Sequence, residues 1–138
     1  MRKSISILFV IVLIVSAFGS VASAQDDAIR VGSKQFTEQI VLGQIMLVAL
    51  DDAGYAVEDR TNLGSTQVNR DALVNGEIDL YAEYTGTALY NYFSDVEWAE
   101  IPTDAYGDRS LGYALISSYD AALNDLVWLE PTPANNTY

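Results

Sequence analysis

Cysteine and histidine are both missing from the 138 residues. Without cysteine the chain can form no disulfide, and it has no thiol to carry a lipid behind a leader. Without histidine it lacks the usual zinc ligand and the usual general base. Basic residues are scarce as well: 7 Lys and Arg stand against 19 Asp and Glu, a formal charge of −12. Nucleic acid and anionic bilayers would be repelled, so neither is an expected partner. Acidity of this kind serves solubility or a salty habitat and names no ligand. Long apolar runs are also few, and the main one is N-terminal, from Ile5 to Phe18. It follows Arg2 and Lys3 and precedes the small-residue site Ala22-Ser23-Ala24, and it falls short of the ~18 apolar residues that a membrane span needs. The pattern predicts a cleaved signal peptide over 1–24 and export. Removing Arg2 and Lys3 would take the formal charge from −12 to −14.

The length suits one domain-sized core. "AIRVGSK" alternates and ends in Gly-Ser, which predicts a strand entering a loop. "FTEQIVLGQIMLVALDDAG" carries apolar residues at Ile40, Val41, Ile45, Leu47, Val48 and Leu50, predicting a helix buried on most of its surface and stopped at Gly54. "YAVEDRTNL" reads as a second strand. Gly64 breaks it, and Ser65 or Thr66 caps a helix through Asn75 that stops at Gly76. "EIDLYAEY", Glu77 to Tyr84, reads as a third strand. Strands alternating with helices in this order give right-handed crossovers and an α/β fold with a mostly parallel sheet. Beyond Thr87 the pattern is helical to Phe93, and Thr103 or Asp104 caps a last helix to about Asn124 with Leu111, Ala114, Leu115 and Ser118 on one stripe. "LVWLEPTPANNTY" reads as an extended connector.

In open α/β sheets, ligands bind beyond the carboxyl ends of the strands. Here those ends are "GSKQF", "LGSTQ" and "EYTGT". The first offers Lys34, the second the N–H groups of a helix start, the third Tyr84 and Thr87. Tyrosine, with 9 copies, is plentiful. Phenol faces attract cations by ~0.5–1 kcal/mol when exposed and about 2 when desolvated, so several rings can hold a quaternary ammonium. Lys34 and Thr87 can hold the carboxylate at the other end of a zwitterion. Such a site would select betaine-like molecules. By strand alternation Tyr81 faces the other way, while Tyr90 and Tyr92 suit helix packing. Gly86 suits a turn that needs positive φ. Paired carboxylates can also hydrolyse glycosides, and Glu77, Asp79 and Glu83 would share a strand face. Charges so placed are more often a solvated face, and the serines have no histidine to activate them.

Three stretches, "VGSKQFTEQIVLGQIM", "NLGSTQVNRDALVNGEIDLYAEYTGTAL" and "WLEPTPANNTY", resemble the substrate-binding proteins of osmoprotectant ABC importers, the glycine betaine, carnitine and choline group. The resemblance implies a type II periplasmic-binding-protein fold, in which two α/β lobes close on ligand, a periplasmic destination for the exported chain, and a partner permease in the inner membrane. It implies no enzyme activity and no cofactor. Carried over by motif, Lys34 and Thr87 would hold the ligand carboxylate, and Tyr84 and Tyr138 would form walls of an aromatic box. Family members are longer than this chain, so the resemblance places the first lobe at 25–126 and the start of the crossing to a second lobe, largely absent here, at 127–138. A chain of this extent is expected to bind weakly or not at all, because the other half of the box lies on the second lobe. Choline or another small cationic solute remains an alternative ligand, and a non-functional fragment an alternative reading of the chain.

Overall fold

The computed structural model describes residues 28–97 and 99–133. Strand β1 (Ile29–Lys34) runs parallel to β2 (Val57–Gly64), and helix α1 (Thr37–Asp52) makes the crossover that parallel neighbours require. Ile29 pairs with Val57 and Gly32 with Arg60, after which the register shifts until Lys34 meets Gly64. The irregularity rests on Asn62 at φ 62°, a left-handed conformation that asparagine tolerates. Its N–H donates to Ser33 Oγ at 2.9 Å. A bulge at this point re-aims the strand ends where the loops begin.

The two helices flank the sheet. Gly43 of α1 approaches so closely that a Cβ there would lie 2.7 Å from Thr61 Cγ2 and 3.2 Å from Ser33 Cβ. Helix α2 (Thr66–Val74) brings Asn69 to the Gly32 position, which strand alternation puts on the opposite face from Ser33. The Ser65 hydroxyl caps α2 by accepting from Val68 N, and Gly76 takes φ +70° beyond its end. Helix α1 is not buried on most of its surface as its composition suggested. Its buried row is Gln39, Gly43 and Leu47, while Val41, Ile45 and Val48 are at least half exposed. Contact through a glycine presses one narrow stripe onto the sheet, and the rest of a helix cylinder cannot reach a sheet of two strands.

The expected third strand, Glu77 to Tyr84, contracts to one parallel bridge between Leu80 and Val31. Asp79 N donates to Arg30 O and Gly32 N to Leu80 O, at 2.8 and 2.9 Å, so the segment does lie along the free edge of β1. Side chains then take over from the ladder. The Asp79 carboxylate accepts the Arg30 backbone N–H and grips its guanidinium through Nε and Nη2. At the other end Glu83 accepts the Tyr84 N–H at 2.8 Å, turning the chain into helix α3 (Thr85–Ala88).

Helix α3 continues as a π-helical turn, Leu89–Phe93. Gly86 does not adopt the expected positive φ. It is needed because a Cβ there would stand 2.8 Å from the Tyr106 carbonyl oxygen. Thr103 and Asp104 lie in a 3-10 turn, Thr103–Tyr106, and the last helix, α4 (Arg109–Asn124), is capped by Asp108, whose carboxylate accepts from Leu111 N. Its buried row is Gly112, Ile116 and Asp120, so the expected stripe through Ala114 and Ser118 is displaced and both of those residues are exposed. Ile116 joins Ala88, Leu89, Phe93 and Ala105 in a second apolar cluster. Residues 126–133 form no regular element, in keeping with the expected connector. No helix among the described residues is long and apolar enough to cross a membrane.

Asp79 gives the fold a pH dependence. The Arg30 guanidinium holds its carboxyl below the ordinary 3.8, as the Thr61 N–H and the Gln44 amide do for Asp59. A depressed native pKa stabilises the fold above the unfolded value, and that contribution is lost as pH falls through the native one. Stability should therefore decline on acidification below pH 3.8. The Asp79→Asn variant should be less stable at neutral pH and show a shallower acid decline, as read by urea titrations along the pH scale. A decline as steep as that of the wild type would contradict the assignment.

Candidate functional site

A cavity of about 370 Å³ opens where the strands end, lined by Lys34, Phe36, Glu38, Gln39, Thr66, Tyr84 and Thr87. Each lining residue has a local reason to be there. Lys34 closes β1. Phe36 precedes α1, and Glu38 and Gln39 belong to its first turn. Thr66 opens α2, and Tyr84 and Thr87 bracket the start of α3. Three of the four residues singled out from the sequence, Lys34, Tyr84 and Thr87, thus line one space. The fourth, Tyr138, lies outside the described residues, as does the expected signal peptide.

Lys34 is buried, and its ammonium pairs with Glu83, with the two side chains only 3% and 5% exposed. Glu83 is the hub of this corner. Beyond Lys34 it accepts the Tyr84 N–H at 2.8 Å, the Tyr92 hydroxyl at 2.9 Å and the Tyr81 hydroxyl at 3.2 Å. Burial, and then the neighbouring Glu83 charge, push both phenols well above the usual tyrosine range, so each stays a hydrogen-bond donor. Tyr81 and Tyr92 therefore serve this network. The Lys34 ammonium also sits 5.8 Å from the Tyr84 ring centroid, and the Tyr84 hydroxyl donates to Glu38.

Gln39 is 2% exposed, and neither of its amide atoms has a hydrogen-bond partner among the described residues. Leaving a buried amide unsatisfied costs about 1–3 kcal/mol per group. Sequence reading passed over Gln39, although a signal existed. It stands at the head of the 39/43/47 row that meets the sheet, a polar residue at a buried position. Glu38 and Glu83 were also underread, the first as an unremarked part of a motif and the second as one of three same-face carboxylates. The structure separates that trio, since Asp79 is held by Arg30 and Glu83 by Lys34. Among the described residues no group of acidic side chains could hold a metal ion.

A second hollow, of about 380 Å³, lies between α2, the π turn and the end of α4. Its one cation, Arg70, is engaged by Asp120 and stacks 4.5 Å from the Tyr92 ring centroid. Tyr92, which lines this hollow, spends its hydroxyl on Glu83.

Comparison with known proteins identifies relatives of the chain as a whole. The family model described as the substrate binding domain of ABC-type glycine betaine transport system matches residues 27–138. The glycine betaine-binding protein YehZ of Escherichia coli K12 is 39% identical over 110 residues, covering 80% of this chain and 34% of that protein. A glycine-betaine-binding protein of Pseudomonas aeruginosa is 39% identical over 117 residues, covering 83% of this chain and 34% of its own length. The matched part thus spans about a third of these relatives. The solved structure of apo YehZ superposes with a TM-score of 0.69 at 36% identity, covering 80% of this chain and 37% of that one.

Proposed function

Since the chain belongs to the family of substrate binding domains of ABC-type glycine betaine transport systems, we propose that it supplies one wall of an extracytoplasmic receptor that hands a quaternary-ammonium osmoprotectant such as glycine betaine to an importer. Its fold is that of the first lobe of a type II periplasmic-binding protein. Residues 25–126 make that lobe and 127–138 begin the crossing to a second. The family serves transport and is not one of enzymes, so the receptor makes and breaks no bond. Export through a cleaved leader over 1–24 would place it in the periplasm, beside an ABC permease of the inner membrane.

One observation carries this reading: a cation, an aromatic face and a buried amide converge on a single cavity at the strand ends. Tyr84 offers its ring to the trimethylammonium group, with Tyr138 as a further wall. Thr87, Lys34 and the unsatisfied Gln39 amide address the carboxylate. Ligand contacts to both lobes favour the closed form, and the permease reads that population shift.

The Tyr84→Ala variant of the complete gene product should bind glycine betaine about tenfold or more weakly by isothermal titration, the loss of one desolvated cation–π contact. Unchanged affinity would make Tyr84 a packing residue.

A further inference from the structure

Lys34 enters the cavity with its charge already answered. Its ammonium is paired with Glu83, and both side chains are almost fully buried. The pair therefore contributes little net charge. The other ionised group on the wall is Glu38, bonded to the edge of the Tyr84 ring by that ring's hydroxyl. The balance of the wall is one negative charge beside an aromatic face.

We infer that Glu83 is a built-in counter-ion that sets ligand preference, making the cavity select first for a cation and only second for a carboxylate. The inference rests on the function proposed above and refines its ligand class. A ligand carboxylate that approaches Lys34 must compete with Glu83, which three further donors hold in place: the Tyr84 N–H and the hydroxyls of Tyr81 and Tyr92. A ligand with a quaternary nitrogen and no carboxylate meets no such competition. Glu83 does not line the cavity, so it acts through Lys34 as a positioning residue.

The test compares glycine betaine with choline, both titrated calorimetrically into the complete gene product. For the wild type, affinities within about tenfold of each other are expected. In the Glu83→Gln variant, which keeps the side chain's shape and removes its charge, Lys34 is released. The preference for glycine betaine over choline should then rise at least tenfold. In a Lys34→Met/Glu83→Gln double variant that rise should vanish, which a merely structural role for Glu83 would not produce. Parallel loss of both affinities in Glu83→Gln, with their ratio unchanged, overturns the inference and leaves the receptor function standing. If neither compound binds the wild type, the receptor function falls and the inference with it. Should circular dichroism show that Glu83→Gln does not fold, the wild-type ratio decides alone: near parity supports the counter-ion, and a preference for glycine betaine beyond a hundredfold overturns it.

Discussion

Replacing Asp120 with alanine is expected to remove ~3–5 kcal/mol of stability, the usual cost of stripping one partner from a buried ion pair. Asp120 is fully buried on α4 and faces Arg70 of α2, itself only 6% exposed. The guanidinium donates to both carboxylate oxygens, and Trp128 Nε1 and Asn124 Nδ2 donate to the same carboxylate at 2.5 and 3.0 Å. Burial works against the Arg70 charge, yet the bonds and charge of Asp120 outweigh it and raise the guanidinium pKa above its ordinary value. Without Asp120 the guanidinium would stay charged and buried, left to the weaker company of the Tyr92 ring and Tyr81. Domains are stable by about 5–15 kcal/mol in total, so a loss of this size could consume half of it or more. Urea denaturation of the Asp120→Ala variant measures it. The Asp120→Asn variant should lose nearly as much, because the charge rather than the volume is at stake. A loss below about 1 kcal/mol, the level of an exposed pair, would contradict the role assigned to this contact.

The Lys34→Met variant should be destabilised by a similar ~3–5 kcal/mol. Methionine keeps the length of the side chain and removes its charge. Glu83, 5% exposed, would then hold its negative charge against two phenols and one backbone N–H. Those three donors offset part of the loss, which puts the lower half of the range first. Adding Glu83→Gln to Lys34→Met removes the stranded charge and should recover most of the stability, a coupling that a thermodynamic cycle reads directly. If the double variant is as unstable as the sum of the two single ones, the residues are not acting as a pair.

Sequence reading captured the β1, α1, β2, α2 unit because its signals are local: alternation in Ile29–Lys34, a serine before Thr66, glycines where helices stop. What it missed depends on residues far apart in the chain. Glu77 to Tyr84 alternates like a strand, but Arg30 and Lys34, 49 residues before Asp79 and Glu83, draw those carboxylates out of any solvated face. The stripe of α4 was misplaced because Asp120, a charged residue, is buried by a partner 50 positions away. Hydropathy alone turns such a residue outward. At the candidate site, Lys34, Tyr84 and Thr87 were legible from motif position at strand ends, whereas Gln39 becomes visible only once the buried row of α1 is known.

The most direct measurement is a nuclear Overhauser experiment on the complete gene product with glycine betaine, its tyrosine rings assigned by the Tyr84→Phe and Tyr84→Ala variants. Saturable binding with magnetisation transfer from the N-methyl protons to the Tyr84 ring is the expected result, since a cation held against the phenol face lies within a few ångströms of those protons. Saturable binding in which the N-methyl signal reaches other rings but never Tyr84 would contradict the assignment of this cavity as the ligand site.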